Sequence, residues 1–217
     1  MNRGRAGPGA PVRRRLEPDA RREQILDGAL RLFGERPYAA VSTVEIAREV
    51  GVARGLINHY FGSKRDLYLE VVRRLTTIPP DAVETLPAGT RGERAAAAVD
   101  WFLDAVVAHR GLWLAVGTGA SGDPEVDAVL AEADEVAVDR VTAALLGADT
   151  TGADAAAGPD ELVRAHLRSF FGLVRSASRE WLVRGAMDRT QTRSLLVTVL
   201  IAVLGTTPPS DGTSSHS

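Results

Sequence analysis

The run Glu45-Ile46-Ala47-Arg48-Glu49-Val50-Gly51-Val52-Ala53-Arg54-Gly55-Leu56-Ile57 carries the clearest chemistry in this 217-residue chain. It reads as two short helices joined by a glycine turn. Ala47 is small where the helices cross, and Gly51 suits the left-handed position that ends the first. Val52 and Ile57 fill the space between the helices. Such a helix-turn-helix can lay its second helix in a DNA major groove, with the side chains near its start against base edges. Arg54 is the leading candidate for that role. Its planar fork can donate two hydrogen bonds to guanine O6 and N7, worth about 1–3 kcal/mol of discrimination. A phosphate contact or a side chain free in solvent is the equal alternative, and a short helix–glycine–helix segment also arises by chance.

The surrounding elements must hold this pair. Ile25, Leu26, Ala29, Leu30, Leu32 and Phe33 recur at helical spacing and predict a helix from about residue 19 until Pro37 ends it. Ser42-Thr43-Val44-Glu45 is a capping box that opens the next helix, through Val50. The second helix of the pair is expected at about 53–59. Ser63 caps a longer helix carrying Leu67, Tyr68, Val71, Val72 and Leu75. Residues 76–92, with Pro79-Pro80, read as a connection. Further helices are expected at about 93–108, 111–117, 124–146, 160–184 and 188–205. Asp123-Pro124-Glu125 and Asp188 with Gln191 mark two of the starts. No stretch alternates with period two. The expected fold is all-α, with about nine helices: a DNA-binding unit over 19–79 (helix-turn-helix 42–61) and a second helical unit over 80–206. Residues 1–18, rich in Gly, Pro and Arg, read as a disordered basic arm, 147–159 as a flexible loop, and 207–217 as a disordered tail.

Composition narrows the function classes. The chain has 26 basic and 28 acidic residues, a net charge of −2, but residues 1–75 carry +6 and residues 76–217 carry −8. One end suits a polyanion and the other does not, although chance clustering explains such a split equally well. The chain has no cysteine, which excludes disulfide staples, Cys-based zinc sites and a cysteine nucleophile. The histidines at 59, 109, 166 and 216 are too scattered to suggest a local metal site, and no cofactor is expected. No nucleophile elbow or phosphate loop supports an enzyme. The longest apolar run, Leu195 to Leu204, is about half of the roughly 20 residues that span a bilayer. The N-terminus has no apolar signal core. No membrane association is expected, and the cytoplasm is the expected compartment.

Residues 21–68 resemble the DNA-binding domain of the TetR family of bacterial transcriptional regulators. The resemblance rests on Arg22-Glu23-Gln24-Ile25-Leu26, Ala29, Phe33, Ile46-Ala47, Gly51-Val52, Gly55, Tyr60-Phe61, Lys64 and Leu67. It implies that Thr43 and Lys64 hold phosphates at the edges of the motif. Arg54 and Gly55 would face bases, with His59 and Tyr60 on backbone or thymine methyl groups. Asn58 departs from the family's usual aromatic. It could read adenine or donate to a phosphate. Ala53 stands where a hydroxyl residue commonly donates to phosphate, so that contact is expected to be lost. The first-arm arginines could enter a minor groove or add only nonspecific affinity.

The second unit is implied by the resemblance to bind a small effector. Trp101, Phe102, Trp113, Leu114, Phe170 and Leu173 are the candidate pocket wall, although large apolar residues at helical spacing are more often plain core. Asp100 and Asp104, one turn apart, read as a solvated face. Leu167, Phe171, Val174 and Trp181 form one apolar stripe, and Leu196 and Leu200 lie on a final helix that is apolar nearly all round. These six are expected to meet a second copy of the chain in a four-helix interface. The expectation is a ligand-responsive, dimeric regulator, a repressor released from a palindromic operator by a small, largely apolar effector. An architectural DNA-binding protein without an effector is the alternative.

Overall fold

The computed structural model describes residues 18–117, 122–146 and 161–205. All of the expected arm but its last residue lies outside the described residues, as do the loop at 147–159 and the tail at 207–217. Every regular element among the described residues is helical.

Helix α1 (Pro18–Glu35) buries Ile25, Leu26, Ala29 and Phe33. A 3₁₀ turn at Tyr38–Ala40 leads to α2 (Thr43–Glu49). The capping box forms as the sequence predicts: the Glu45 amide donates to Ser42 Oγ, and the Ser42 amide donates to the Glu45 carboxylate. Helix α3 (Arg54–Phe61) ends at Gly62, whose φ of 79° needs glycine, and Ser63 caps α4 (Lys64–Thr76). The stretch read as a connection holds a short helix, α5 (Pro80–Glu84), which starts on proline and buries Ala82. A five-residue helix has no room for a periodic apolar pattern, so only the proline announced it.

Helix α6 (Arg91–Ala108) starts two residues earlier than expected. Thr90 and Glu93 form a second capping box there. Helix α7 (Arg110–Leu112) continues into a π-helical turn at Trp113–Gly117. Helix α8 (Pro124–Leu145) is capped by Asp123, which accepts from the amides of Glu125 and Val126. Helix α9 (Glu161–Arg179) runs into a π turn at Glu180–Arg184 and stops at Gly185. Helix α10 (Arg189–Gly205) follows the Asp188–Gln191 box.

Two apolar clusters organise the chain. The first joins α1 to α4, and it also takes in Leu112, Val116, Val126 and Val129. The turn after α7 and the start of α8 thus share a core with the helix-turn-helix, across the boundary expected near residue 79. The second joins α6, α8, α9 and α10. It corrects the expected partner face. Leu167, Val174, Leu196 and Leu200 are buried within the chain's own core. Helix α10 packs against both α6 and α9. Leu196, Leu200 and Leu204 fill the core side of α10, while Ile201 and Ala202 stay exposed. Of the six residues, only Phe171 and Trp181 stay partly exposed.

Candidate nucleic-acid interface and apolar cavity

The helix-turn-helix is set by short-range packing. The Val52 amide donates to the Ala47 carbonyl at 2.9 Å, closing the turn around Gly51, whose φ is 67°. Gln24 Nε2 donates to the Val50 carbonyl at 2.9 Å, tying α1 to the end of α2. A Cβ on Gly28 would lie 2.1 Å from Val50 Cγ1, so that crossing is as close as glycine allows. On α3, Ile57 and Phe61 point into the core. Arg54, Gly55, Asn58 and His59 are all exposed on the opposite side, and Tyr60 is half-buried. The His59 and Tyr60 rings meet edge to face, 5.1 Å apart.

Thr43, Arg54, Asn58 and Lys64 come together around one surface cleft, completed by residues 39–42 and Gly62 and Ser63. Four of the seven predicted DNA contacts therefore share a rim although α2, α3 and α4 supply them. Lys64 is more constrained than the sequence suggests. Its Nζ donates to the Tyr38 carbonyl at 2.7 Å and sits 4.1 Å from the Tyr38 ring centre. Its ammonium is therefore already engaged by Tyr38 before any phosphate approaches. Arg48 is exposed on α2 beside the turn.

Arg36 donates to Glu45 at 2.7 Å. This contact, with the Ser42 cap, holds the Glu45 carboxyl down at about 2. A second set of ion pairs joins α4 to α8. Arg65, next to Lys64, donates to Asp123 at 2.5 Å and to Glu125 at 2.7 Å. The Arg65 guanidinium holds the Asp123 carboxyl below its usual range. Arg73 bonds Glu70 on its own helix and reaches Glu132 on α8.

A cavity of about 130 Å³ lies between the end of α4, α5, α6, α8, α9 and α10. Trp101, Phe102, Trp113, Phe170 and Phe171 are among the residues that line it. Leu114 and Leu173 do not; Leu173 packs against the second cluster instead. Trp113 and Phe102 meet edge to face with centroids 5.3 Å apart. Asp134 and Arg175 form a 2.7 Å ion pair in the wall. Among the described residues they are the only charged groups lining it. Asp100 and Asp104 are not a free acidic face. Arg193 donates twice to Asp100, at 2.7 and 2.9 Å, and Arg189 reaches Asp104 at 2.6 Å. Among the described residues, no group of three His, Asp or Glu side chains could hold a metal ion, and no helix is long and apolar enough to cross a membrane.

The tetR-family model of bacterial regulatory proteins matches residues 25–71, and the tetracyclin repressor-like C-terminal domain model matches residues 91–203. The HTH-type transcriptional regulator BetI of Rhizobium meliloti is 37% identical over 123 residues, 53% of this chain and 59% of that protein. BetI of Agrobacterium fabrum is 44% identical over 72 residues, 33% of this chain and 34% of that one. The chain thus matches less than two thirds of the length of these curated relatives. A tetR-family transcriptional regulator from Streptomyces coelicolor superimposes with a TM-score of 0.66 at 26% identity, covering 88% of this chain and 82% of that one. A TetR-like regulator from Rhodococcus sp. RHA1 shares the fold, with a TM-score of 0.55 at 24% identity over 88% of this chain and all of that one.

Proposed function

The chain belongs to the TetR family of bacterial regulatory proteins, and on that premise we propose that it is a DNA-binding transcriptional regulator, a repressor that a small apolar effector releases from a palindromic operator. One observation carries the reading. Arg54, Gly55, Asn58 and His59 are exposed together on α3 while Ile57 and Phe61 anchor the opposite side. A helix fixed in this way presents a polar face of the right width to a major groove. In this reading Arg54 reads a base, Gly55 permits close approach, and Thr43, Asn58, His59, Tyr60 and Lys64 hold backbone or base edges.

The active species is a two-fold dimer, which places two copies of α3 about 34–36 Å apart, one DNA turn. Its interface is the outer flank of α9 and α10. Arg164, Arg168 and Arg175 tie one side of α9 to α8, and Arg189 and Arg193 tie one side of α10 to α6. On the remaining surface Ser169 of α9 and Thr198 and Ala202 of α10 are exposed. The effector enters the cavity beside Trp101, Phe102, Trp113 and Phe170. The protein works in the cytoplasm and is not an enzyme.

Genome-wide occupancy tests the reading. Discrete sites sharing one palindrome are expected. Broad occupancy that fades uniformly with salt would instead support the architectural alternative, in which DNA binding needs no effector.

A further inference from the structure

Lys64 is the chain's sole lysine, and it is held without being neutralised. Its Nζ donates to the Tyr38 carbonyl at 2.7 Å and stands 4.1 Å from the Tyr38 ring centre. Both contacts suit a cation, because the carbonyl oxygen and the ring face are negative. Neither cancels its charge. The arginines on the same helices differ. Arg22 pairs with Glu70, Arg31 with Glu49, Arg36 with Glu45, and Arg65 with Asp123 and Glu125. Among the described residues, no carboxylate pairs with Lys64.

Tyr38 is itself fixed. Its ring packs on Phe33 of α1 and on Tyr68 of α4, with centroids 5.9 and 4.7 Å apart. Phe33 and Tyr68 are buried and meet edge to face at 5.1 Å. The Tyr38 carbonyl belongs to the 3₁₀ turn at Tyr38–Ala40, where the Val41 amide also donates to it at 3.4 Å. Ala39 and Ala40 of that turn line the surface cleft together with Lys64, Thr43, Arg54 and Asn58. The turn that holds the ammonium is therefore part of the cleft.

We infer that Tyr38 is a positioning residue for DNA: its ring and carbonyl place the Lys64 ammonium at the cleft with its charge uncancelled, and a backbone phosphate of the duplex takes up that charge. The inference rests on the DNA-binding reading above and deepens it. A free lysine gives up rotamer freedom when it grips a phosphate, whereas one already held gives up less. A neutral platform also leaves the full attraction to the phosphate, which a carboxylate in its place would offset.

A double-mutant cycle on the full-length protein tests this. Tyr38→Leu keeps the carbonyl and apolar bulk but removes the ring face. Lys64→Met keeps the stem but removes the charge. Affinity for the palindrome that the unaltered protein selects is measured at one salt concentration. Tyr38→Leu is expected to weaken binding about fivefold when Lys64 is present, and by less than about twofold in the Lys64→Met background. Tyr38→Phe, which keeps the ring, should restore affinity to within about twofold of the unaltered protein. Equal losses for Tyr38→Leu in both backgrounds would make Tyr38 only a core residue. A Tyr38→Phe loss as large as that of Tyr38→Leu would assign the effect to the hydroxyl. Either result overturns the inference.

The single lysine also gives a readout that needs no variant. With isotope-labelled lysine the protein shows one ε-methylene signal. It is expected upfield of free lysine, because of the Tyr38 ring current, and should move when duplex DNA is added. A signal at the free-lysine position, or one that DNA leaves unmoved, overturns the inference even if Tyr38→Leu fails to fold. If the signal stays still while the palindrome binds, the inference falls and the regulator reading survives. If the unaltered protein binds no duplex, the DNA-binding reading falls and the inference falls with it.

Discussion

The carbonyl oxygen of Gly34 stands where a side chain on Gly111 would have to go: a Cβ built on Gly111 lies 1.8 Å from it. Gly34 closes α1 and Gly111 lies in α7, so the helix that braces the helix-turn-helix meets the cavity-bearing half backbone to backbone. Gly111→Ala must push α1 and α7 apart. A loss of about 1–3 kcal/mol is expected in denaturant unfolding, as for other overpacked contacts. Gly55→Ala is the contrast. Nothing lies within 4 Å of its Cβ position and Gly55 is inside α3. It should gain about 0.5–1 kcal/mol of stability, as glycine-to-alanine changes within helices do. It should nevertheless lose operator affinity, because the added methyl faces DNA. A Gly55→Ala protein with unchanged operator affinity would remove that residue from the interface.

Reading and holding of DNA should separate. Arg54→Ala is expected to cost about 1–3 kcal/mol on the operator and to relax preference at one position per half-site. Lys64→Ala should weaken all sequences alike and lower the salt slope by about one per subunit. It should also lower thermal stability, because its ammonium bridges to the Tyr38 carbonyl. Competition with random DNA at several salt concentrations measures both. Equal losses on operator and random DNA for Arg54→Ala would make it a phosphate contact.

Much of this was legible in the sequence. The capping boxes at Ser42 and Asp188, the glycine turn and the position of α3 follow from rules that act over three or four residues. The cleft that gathers Thr43, Arg54, Asn58 and Lys64 was legible only through the family resemblance, since three helices contribute to it. What the sequence obscured was the destination of apolar surface. Leu167 and Leu196 are equally suited to a chain's own core or to a partner, and periodicity cannot distinguish the two. Packing decides, and both are buried within the chain. Likewise, nothing in the local pattern says that Asp100 and Arg193, far apart in sequence, pair across α6 and α10.

The dimer surface should respond to charge at residues that the single chain leaves exposed. Ser169 and Ala202 are both exposed, and neither is large enough to hold the core together. Ser169→Glu with Ala202→Glu should leave helicity and thermal unfolding of the subunit nearly unchanged and yield monomers in sedimentation. A double variant that sediments as a normal dimer would move the interface elsewhere.

Acid should remove the contribution that the Glu45 carboxylate makes to the helix-turn-helix. Its folded pKa of about 2 lies below the usual 4.5, so the carboxylate stabilises the fold fully above about 4.5 and loses that contribution as pH falls towards 2. Glu45→Gln should therefore be less stable than the unaltered protein at neutral pH, and the gap should narrow through that window. Thermal unfolding at a series of pH values checks it. A gap that stays constant between pH 5 and 2.5 would mean that the Arg36 and Ser42 contacts do not depend on the charge.

The central claim is that two copies of α3, fixed by a dimer, read two half-sites one DNA turn apart. The most direct measurement takes the palindrome selected by the full-length protein and inserts about five base pairs at its centre, turning one half-site to the opposite face of the duplex. Affinity should fall to near that for random DNA at the same salt concentration. Unchanged affinity for the lengthened site would contradict the account.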